Sequence, residues 1–361
     1  MPSSSLVARS QRAVAVRESI ADLAAQRPPS RELLDVVERR LRTVLPFDGG
    51  GWWTSDPDTV LPTELWDFDY PALLGEVLAE DVNHLAVLDQ RGDSVASLGF
   101  ATEGDKTRSA RFFSTHAPAG IGDELRVLAR SGNSSWGSAC LVRGSDVQDF
   151  SRDELALVAA VSRDVGHALR ADLLSVAETG TSTAPGSGGA GTILLGADDT
   201  VQGFTPDATR WLGRLGVSAD TSELPSALRW VALQARARAG SPEGGPRPSR
   251  TRMTTTDGEI VFVQAEVLEG PVVPSVIMTF EAGTAATMVP LLMSLYGLTP
   301  RERDMAELLM SGRSVPDIAR LLMLSIHTVR DHVKAIYAKL GVRSRPELTA
   351  RLSSGHPDAR R

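Results

Sequence analysis

Three segments decide how this chain is read: Leu298-Thr299-Pro300-Arg301-Glu302-Arg303, Ser314-Val315-Pro316-Asp317, and Ser325-Ile326-His327-Thr328-Val329-Arg330-Asp331-His332-Val333-Lys334. Thr299 with Glu302, and Ser314 with Asp317, have the spacing of a capping box, in which a hydroxyl and a carboxylate satisfy each other's backbone N–H groups at a helix start. Pro300 fits the first helical position, where no N–H is needed. A helix is therefore expected after Thr299, with Met305, Ala306, Leu308 and Leu309 on its apolar face and Gly312 ending it. A short second helix follows Ser314, carries Ile318, Ala319, Leu321 and Leu322 inward, and stops at Leu324. Ser325 caps a third, 326–340, on which Val329, Val333, Ile336 and Leu340 recur at spacings of four, three and four, a buried stripe that Gly341 closes.

The face opposite that stripe carries His327, Thr328, Arg330, Asp331 and Lys334, with Lys339 near its end. Two helices joined by a few residues, the second with a polar and cationic outer face, describe a helix-turn-helix with a recognition helix for the major groove. A helix about 10–12 Å across fits a groove about 12 Å wide, so side chains along one exposed face can meet base edges and phosphates together. The bland alternative is a solvated helix face.

These segments, with Lys339-Leu340-Gly341-Val342-Arg343-Ser344-Arg345 after them, resemble the LuxR-type DNA-binding domain over residues 298–352. The resemblance implies an all-α, four-helix helix-turn-helix domain, at 296–355. Its fourth helix starts here at the capping box Ser344-Arg345-Pro346-Glu347 and serves that family as a dimerisation surface, which would fall on Leu348 and Leu352. Carried over by position, the implied DNA contacts are Ser325, His327, Thr328, Arg330, Asp331, Lys334, Arg343 and Arg345. Thr328, Arg330 and Lys334 match the family's pattern, and Glu302 matches an internal buttress. Asp331 departs from it: the family usually places a neutral or basic residue there, and an acid would repel phosphate or accept from a cytosine amino group.

The chain's 361 residues suggest two or three domains, since single cores seldom grow beyond about 250–300 residues. A net charge of −7 would argue against nucleic acid if it were evenly spread. Residues 298–356 instead hold ten Lys and Arg against six Asp and Glu, which leaves the remainder strongly acidic, as expected of a regulatory part joined to a basic reader. Of three lysines, Lys106, Lys334 and Lys339, two fall in the recognition helix. The single Cys140 excludes an internal disulfide and a multi-cysteine zinc site, and its setting in a strand-like run marks it as a core residue. With neither a run of 18 apolar residues nor a signal-like start, a cytoplasmic protein without a membrane span is expected.

Upstream, residues 12–176 read as helix, mixed strands, helix. One amphipathic helix carries Leu33, Leu34, Val37 and Leu41, and another starts at Ser151-Arg152-Asp153-Glu154 and carries Leu155, Val158, Val161, Val165, Leu169 and Leu173. Runs at 50–53, 86–89, 124–130 and 136–143 read as strands. This element order resembles an α+β GAF-like sensory and dimerisation domain. Residues 177–190 are rich in Ser, Thr, Gly and Pro and read as a flexible linker. A smaller α+β unit follows at 191–284, with strands near 191–196, from Val201, and at 249–254, 260–268 and 276–280; it is similar to a PAS-like domain, with a thin helical middle.

The loop Gly99 to Thr107 nearly spells a nucleotide-phosphate loop, but Asp105 separates Gly104 from Lys106 and opposes an anion, so ATP binding is not expected. No acidic pair follows a first strand, so a phosphorylated receiver is not expected either. The start of the chain also lacks the Trp/Tyr pattern of acyl-homoserine-lactone receptors. Trp52, Trp53, Trp66, Trp136, Trp211 and Trp230 read as core aromatics, and His84, His116 and His167 are too far apart in sequence for a near-neighbour metal pair. No catalytic residue, metal or cofactor is indicated. The expectation is a multidomain, non-enzymatic regulator, a homodimer that binds double-stranded DNA. A small-molecule effector in the upstream domains and RNA polymerase are candidate partners. The alternative is a sensor or interaction module whose helix-turn-helix serves dimerisation or partner contact.

Overall fold

The computed structural model describes residues 4–64, 82–179, 189–217, 224–240, 248–268 and 275–354. Trp66 and most of the expected linker, 180–188, lie outside them. The chain forms two compact units, Met1–Asp172 with Ser187–Ala282, and Leu173–Gly186 with Gly283–Arg361.

The first unit opens with helices α1 (Ser4–Ala25) and α2 (Ser30–Leu41), and α2 buries Leu33, Leu34, Val37 and Leu41. Then come β1 (Gly49–Thr54), α3 (Leu85–Arg91), β2 (Val95–Ser97), α4 (Leu98–Ala101), β3 (Ile121–Ser131), β4 (Ser134–Gly144) and α5 (Arg152–Thr179). The strands form an antiparallel sheet in the order β1-β4-β3-β2. Helix α5 crosses it closely at Gly166, where a Cβ would stand 2.5 Å from the Arg130 carbonyl oxygen. Residues 86–89 are helical, not the expected strand. The His84 side chain caps α3 by accepting from the Ala86 N–H, and Gly92 ends the helix in the left-handed region, so local capping overrides a short apolar run.

A second antiparallel sheet runs β6-β5-β9-β8-β7. Its strands are β5 (Gly191–Leu195), β6 (Val201–Phe204), β7 (Arg250–Thr254), β8 (Ile260–Leu268) and β9 (Ser275–Ala282), with helices α6 (Pro206–Arg214) and α7 (Ser226–Gly240) between β6 and β7. Helix α7 fills the middle that reads as thin in sequence, burying Leu228, Val231 and Ala232 beside Met253, Val261 and Phe280. Strands β1 and β7 are joined through the residues after β1. Arg252 donates to Asp56 and to Asp58, each at 2.8 Å, Thr251 donates to the Pro62 carbonyl, and Leu61 enters the second sheet's core. Trp53 meets Trp230 edge-on at 5.6 Å. The two α+β parts therefore share one body.

Within the first sheet, Glu124 is 1% exposed and holds Arg111 at 2.7 Å and Arg126 at 3.1 Å. Burial alone would push its carboxyl pKa up, but the two guanidiniums hold it well below the usual range. Cys140 donates to Glu124 at 2.9 Å, and burial together with that carboxylate pushes the thiol pKa well up, so Cys140 is a quiet thiol. Trp52, Trp53, Trp136 and Trp211 are buried core residues. Lys106 pairs with Asp149 at 2.6 Å, and Asp105 accepts from the Thr107 N–H, so the residues of the near-match to a phosphate loop are held by the fold itself.

The second unit contains α8 (Ala285–Leu295), α9 (Pro300–Met310), α10 (Val315–Leu321), α11 (Ile326–Leu340) and α12 (Arg345–Ser354). One expectation is corrected here. Leu348 and Leu352 are 0% exposed, on a helix packed against α8 and α9, so they are core residues of this unit and their side chains cannot form a dimer surface. Among the described residues, no helix is long and apolar enough to cross a membrane, and no group of His, Cys, Asp or Glu could hold a metal ion.

Candidate nucleic-acid interface

The helix starts fall where the hydroxyl and acid pairs put them. Thr299 accepts from the Glu302 N–H while Glu302 accepts from the Thr299 N–H, and Ser314 and Asp317 repeat the arrangement on α10. The turn between α10 and α11 is tight. Met323 takes a positive φ of 53°, the Leu324 N–H donates to the Ala319 carbonyl at 2.9 Å, and Arg301 on α9 reaches the Leu322 carbonyl at 2.8 Å. Arg301 thus pins the first helix onto the end of α10.

Helix α11 is capped by Ser325, whose hydroxyl accepts from the Thr328 N–H at 3.0 Å, and Gly341 ends it in the left-handed region. Val329, Ile336 and Leu340 are buried and Val333 is half-buried, as the stripe requires. That burial turns the other side outward. Ser325, His327, Arg330, Asp331 and Lys334 are exposed, and Thr328 is half-buried. The Ser325 and Thr328 hydroxyls lie 2.9 Å apart, so both take part in the cap as well as lying at the helix tip.

Charges on the outer face are arranged in a row. Asp331 lies 3.6 Å from His327 Nε2 and 3.7 Å from Lys334 Nζ, while Arg330 beside it has no ion pair among the described residues. Arg343 is exposed. Arg345 is half-buried and donates to the Arg313 carbonyl at 3.4 Å, leaning on the loop between α9 and α10 rather than along α11. Lys339 is turned to structural use. Its Nζ sits 2.5 Å from Glu302 and 3.0 Å from the Gly297 carbonyl. Burial would raise the Glu302 pKa, but hydrogen bonds from Lys339 and Thr299 outweigh it and hold the carboxyl below its ordinary value.

Leu321, expected to face inward with Ile318 and Ala319, is instead 56% exposed at the last residue of α10, and Met323 at 92% and Ile326 at 44% are exposed apolar residues that the helix periods do not mark. The signal was present, since Met323 stands between helices with no periodic partner. Elsewhere, in the first unit, a groove of about 500 Å³ is lined by Arg238, Ala239, Ser249, Arg250, Gln264 and Glu266, and Ser249 Oγ is buried with no hydrogen-bond partner among the described residues.

Residues 296–352 match the family described as bacterial regulatory proteins, luxR family. A helix-turn-helix-type transcriptional regulator of Mycobacterium bovis is 49% identical over 51 residues, 14% of this chain and 6% of that protein, so this chain spans a small part of that relative's length. The spore germination protein GerE of Bacillus subtilis is 40% identical over 55 residues, 15% of this chain but 74% of GerE. A solved phage VqmA–DPO complex is similar at a TM-score of 0.24 and 18% identity, covering 46% of this chain and 82% of that one, a likeness too low to bear on ligand or assembly. Residues 296–352 include the capped helices described above, and through this helix-turn-helix the chain belongs to the luxR family of bacterial regulatory proteins.

Proposed function

We propose that the protein is a sequence-specific, dimeric DNA-binding regulator whose α11 enters the major groove, its first unit controlling that binding. The observation that carries this reading is the outer face of α11, where Arg330 and Lys334 stand exposed beside the capped helix tip while the opposite stripe is buried. Two such helices would read half-sites about one helical turn apart, with phosphate contacts supplying affinity and base contacts choosing the site. Because Leu348 and Leu352 face inward, the dimer contact falls on other residues. The first unit reads as a GAF-like and a PAS-like part fused through Asp56 and Arg252, and an effector would act by binding one state of it better than another. The groove at Ser249 is where such an effector would find an orphaned hydroxyl between two arginines.

The test is binding of the full chain to its selected DNA across salt concentrations. Lys334→Ala should weaken binding and lower the salt slope, and Arg330→Ala should weaken binding and relax preference at particular base positions. If neither substitution changes DNA affinity at moderate salt, α11 does not read DNA.

A second reading, contact with a protein partner such as RNA polymerase, is favoured by the exposed Leu321, Met323 and Ile326. Exposed apolar side chains at and beside a turn have more to gain from a partner than from water.

A further inference from the structure

The acid on the recognition helix is the feature that a general phosphate-binding face does not explain. Asp331 Oδ1 lies 3.7 Å from Lys334 Nζ, and Oδ2 lies 3.6 Å from His327 Nε2. Positions 327, 331 and 334 follow one line along the exposed face, so this acid and its neighbours would enter the groove together. A carboxylate has about four lone-pair sites, which leaves room for a base-edge donor besides these two neighbours.

We propose that Asp331 and Lys334 act as one reader of a single C·G base pair, Asp331 accepting from the cytosine N4 amino group and Lys334 donating to guanine O6 and N7. The proposal rests on the DNA-reading function above. A carboxylate can only accept, and the major groove offers it two donors, cytosine N4 and adenine N6. Adenine sets its N7 acceptor beside N6, which repels the carboxylate, and its thymine partner shows the ammonium one acceptor next to a methyl group. On the cytosine ring the neighbour of N4 in the groove is a C–H rather than an acceptor, and guanine offers the ammonium two acceptors. Within one C·G pair, N4 and O6 are hydrogen-bonded to each other at about 3 Å, close to the spacing of the protein's own acceptor and donor. Lys334 also offsets the field that an isolated Asp331 would turn against phosphate. The pair therefore keeps affinity while adding a base preference.

The experiment is selection from a random DNA library by full-length wild type, Asp331→Ala, Asp331→Asn and Lys334→Ala, followed by affinities on the winning site and on the same site with its C·G pair changed to T·A. Wild type should select one invariant C·G pair in each half-site and lose about 10-fold or more on the changed site. Asp331→Ala should keep the remaining half-site but bind both sites about equally. Asp331→Asn should move the preference towards adenine, since an amide both accepts from N6 and donates to N7. Lys334→Ala should lose discrimination at the same pair and lower the salt slope by about one. If Asp331→Ala binds every sequence more tightly with unchanged base preferences, Asp331 only repels phosphate and the proposal fails while DNA reading stands. If wild type selects no sequence at all, the DNA-reading function itself falls, and this proposal with it.

Discussion

Lys339 Nζ lies 2.5 Å from Glu302 Oε2, which ties the C-terminal turn of α11 to the first turn of α9. The same carboxylate accepts from the Thr299 N–H at 2.7 Å, so one acid closes a helix cap and anchors the recognition helix. Glu302→Ala should cost about 2–3 kcal/mol, by loss of the cap and of a charge-assisted hydrogen bond. Lys339→Ala, at a more exposed position, should cost less. Denaturant midpoints of the two variants and of the double variant check the coupling: the double should cost less than the two singles together.

The direction of the Glu302 pKa sets a pH dependence. Its carboxyl is held below the ordinary glutamate value in the folded chain. The stabilisation it supplies is therefore fully present above the unfolded-state pKa and is lost as pH falls through the folded-state value. Wild type should lose stability relative to Glu302→Gln as pH is lowered through that range, read by thermal unfolding. A pH-independent difference between the two would show that the ion pair contributes nothing.

Leu352 is 0% exposed and lies on a helix packed against α8. Leu352→Ala should therefore lower stability by about 2–5 kcal/mol, the range for a buried leucine. Sedimentation of the remaining folded protein should give the wild-type oligomeric state. A folded monomer of unchanged stability would instead return Leu352 to a dimer surface.

Arg252 is 5% exposed and joins Asp56 and Asp58, so its removal strands a buried carboxylate. Arg252→Ala should cost about 3–5 kcal/mol. Because the pairing joins residues beside the two sheets, hydrogen exchange should speed up at β1 and β7 together, and exchange confined to β7 would argue against a shared body.

Met323 at 92% exposure projects from a turn whose backbone is already in the left-handed region. Met323→Ser should leave DNA affinity within about twofold, as surface changes usually alter free energies by no more than about 0.5 kcal/mol. It should lower transcription from a bound promoter in a reconstituted assay. Unchanged transcription would remove the case for a protein partner at this turn.

Local chemistry was legible in the chain order. The starts of α9, α10 and α11 follow from hydroxyl residues that satisfy N–H groups within three positions, and Gly341 ends α11 because a left-handed residue is needed there. The outward face of α11 follows from the spacing of Val329, Ile336 and Leu340, since a period near 3.6 separates buried from exposed sides. Where two signals competed locally, at 86–89, the cap at His84 decided the outcome against a short apolar run. What only the tertiary structure decided depends on distant partners. Asp56 and Arg252 stand 196 positions apart, Lys339 turns from a groove-facing expectation to a buttress because Glu302 lies within reach, and Leu348 and Leu352 face inward because α8 packs against α12. Periodicity states that a side chain seeks burial, and the packing of the rest of the chain determines which surface provides it.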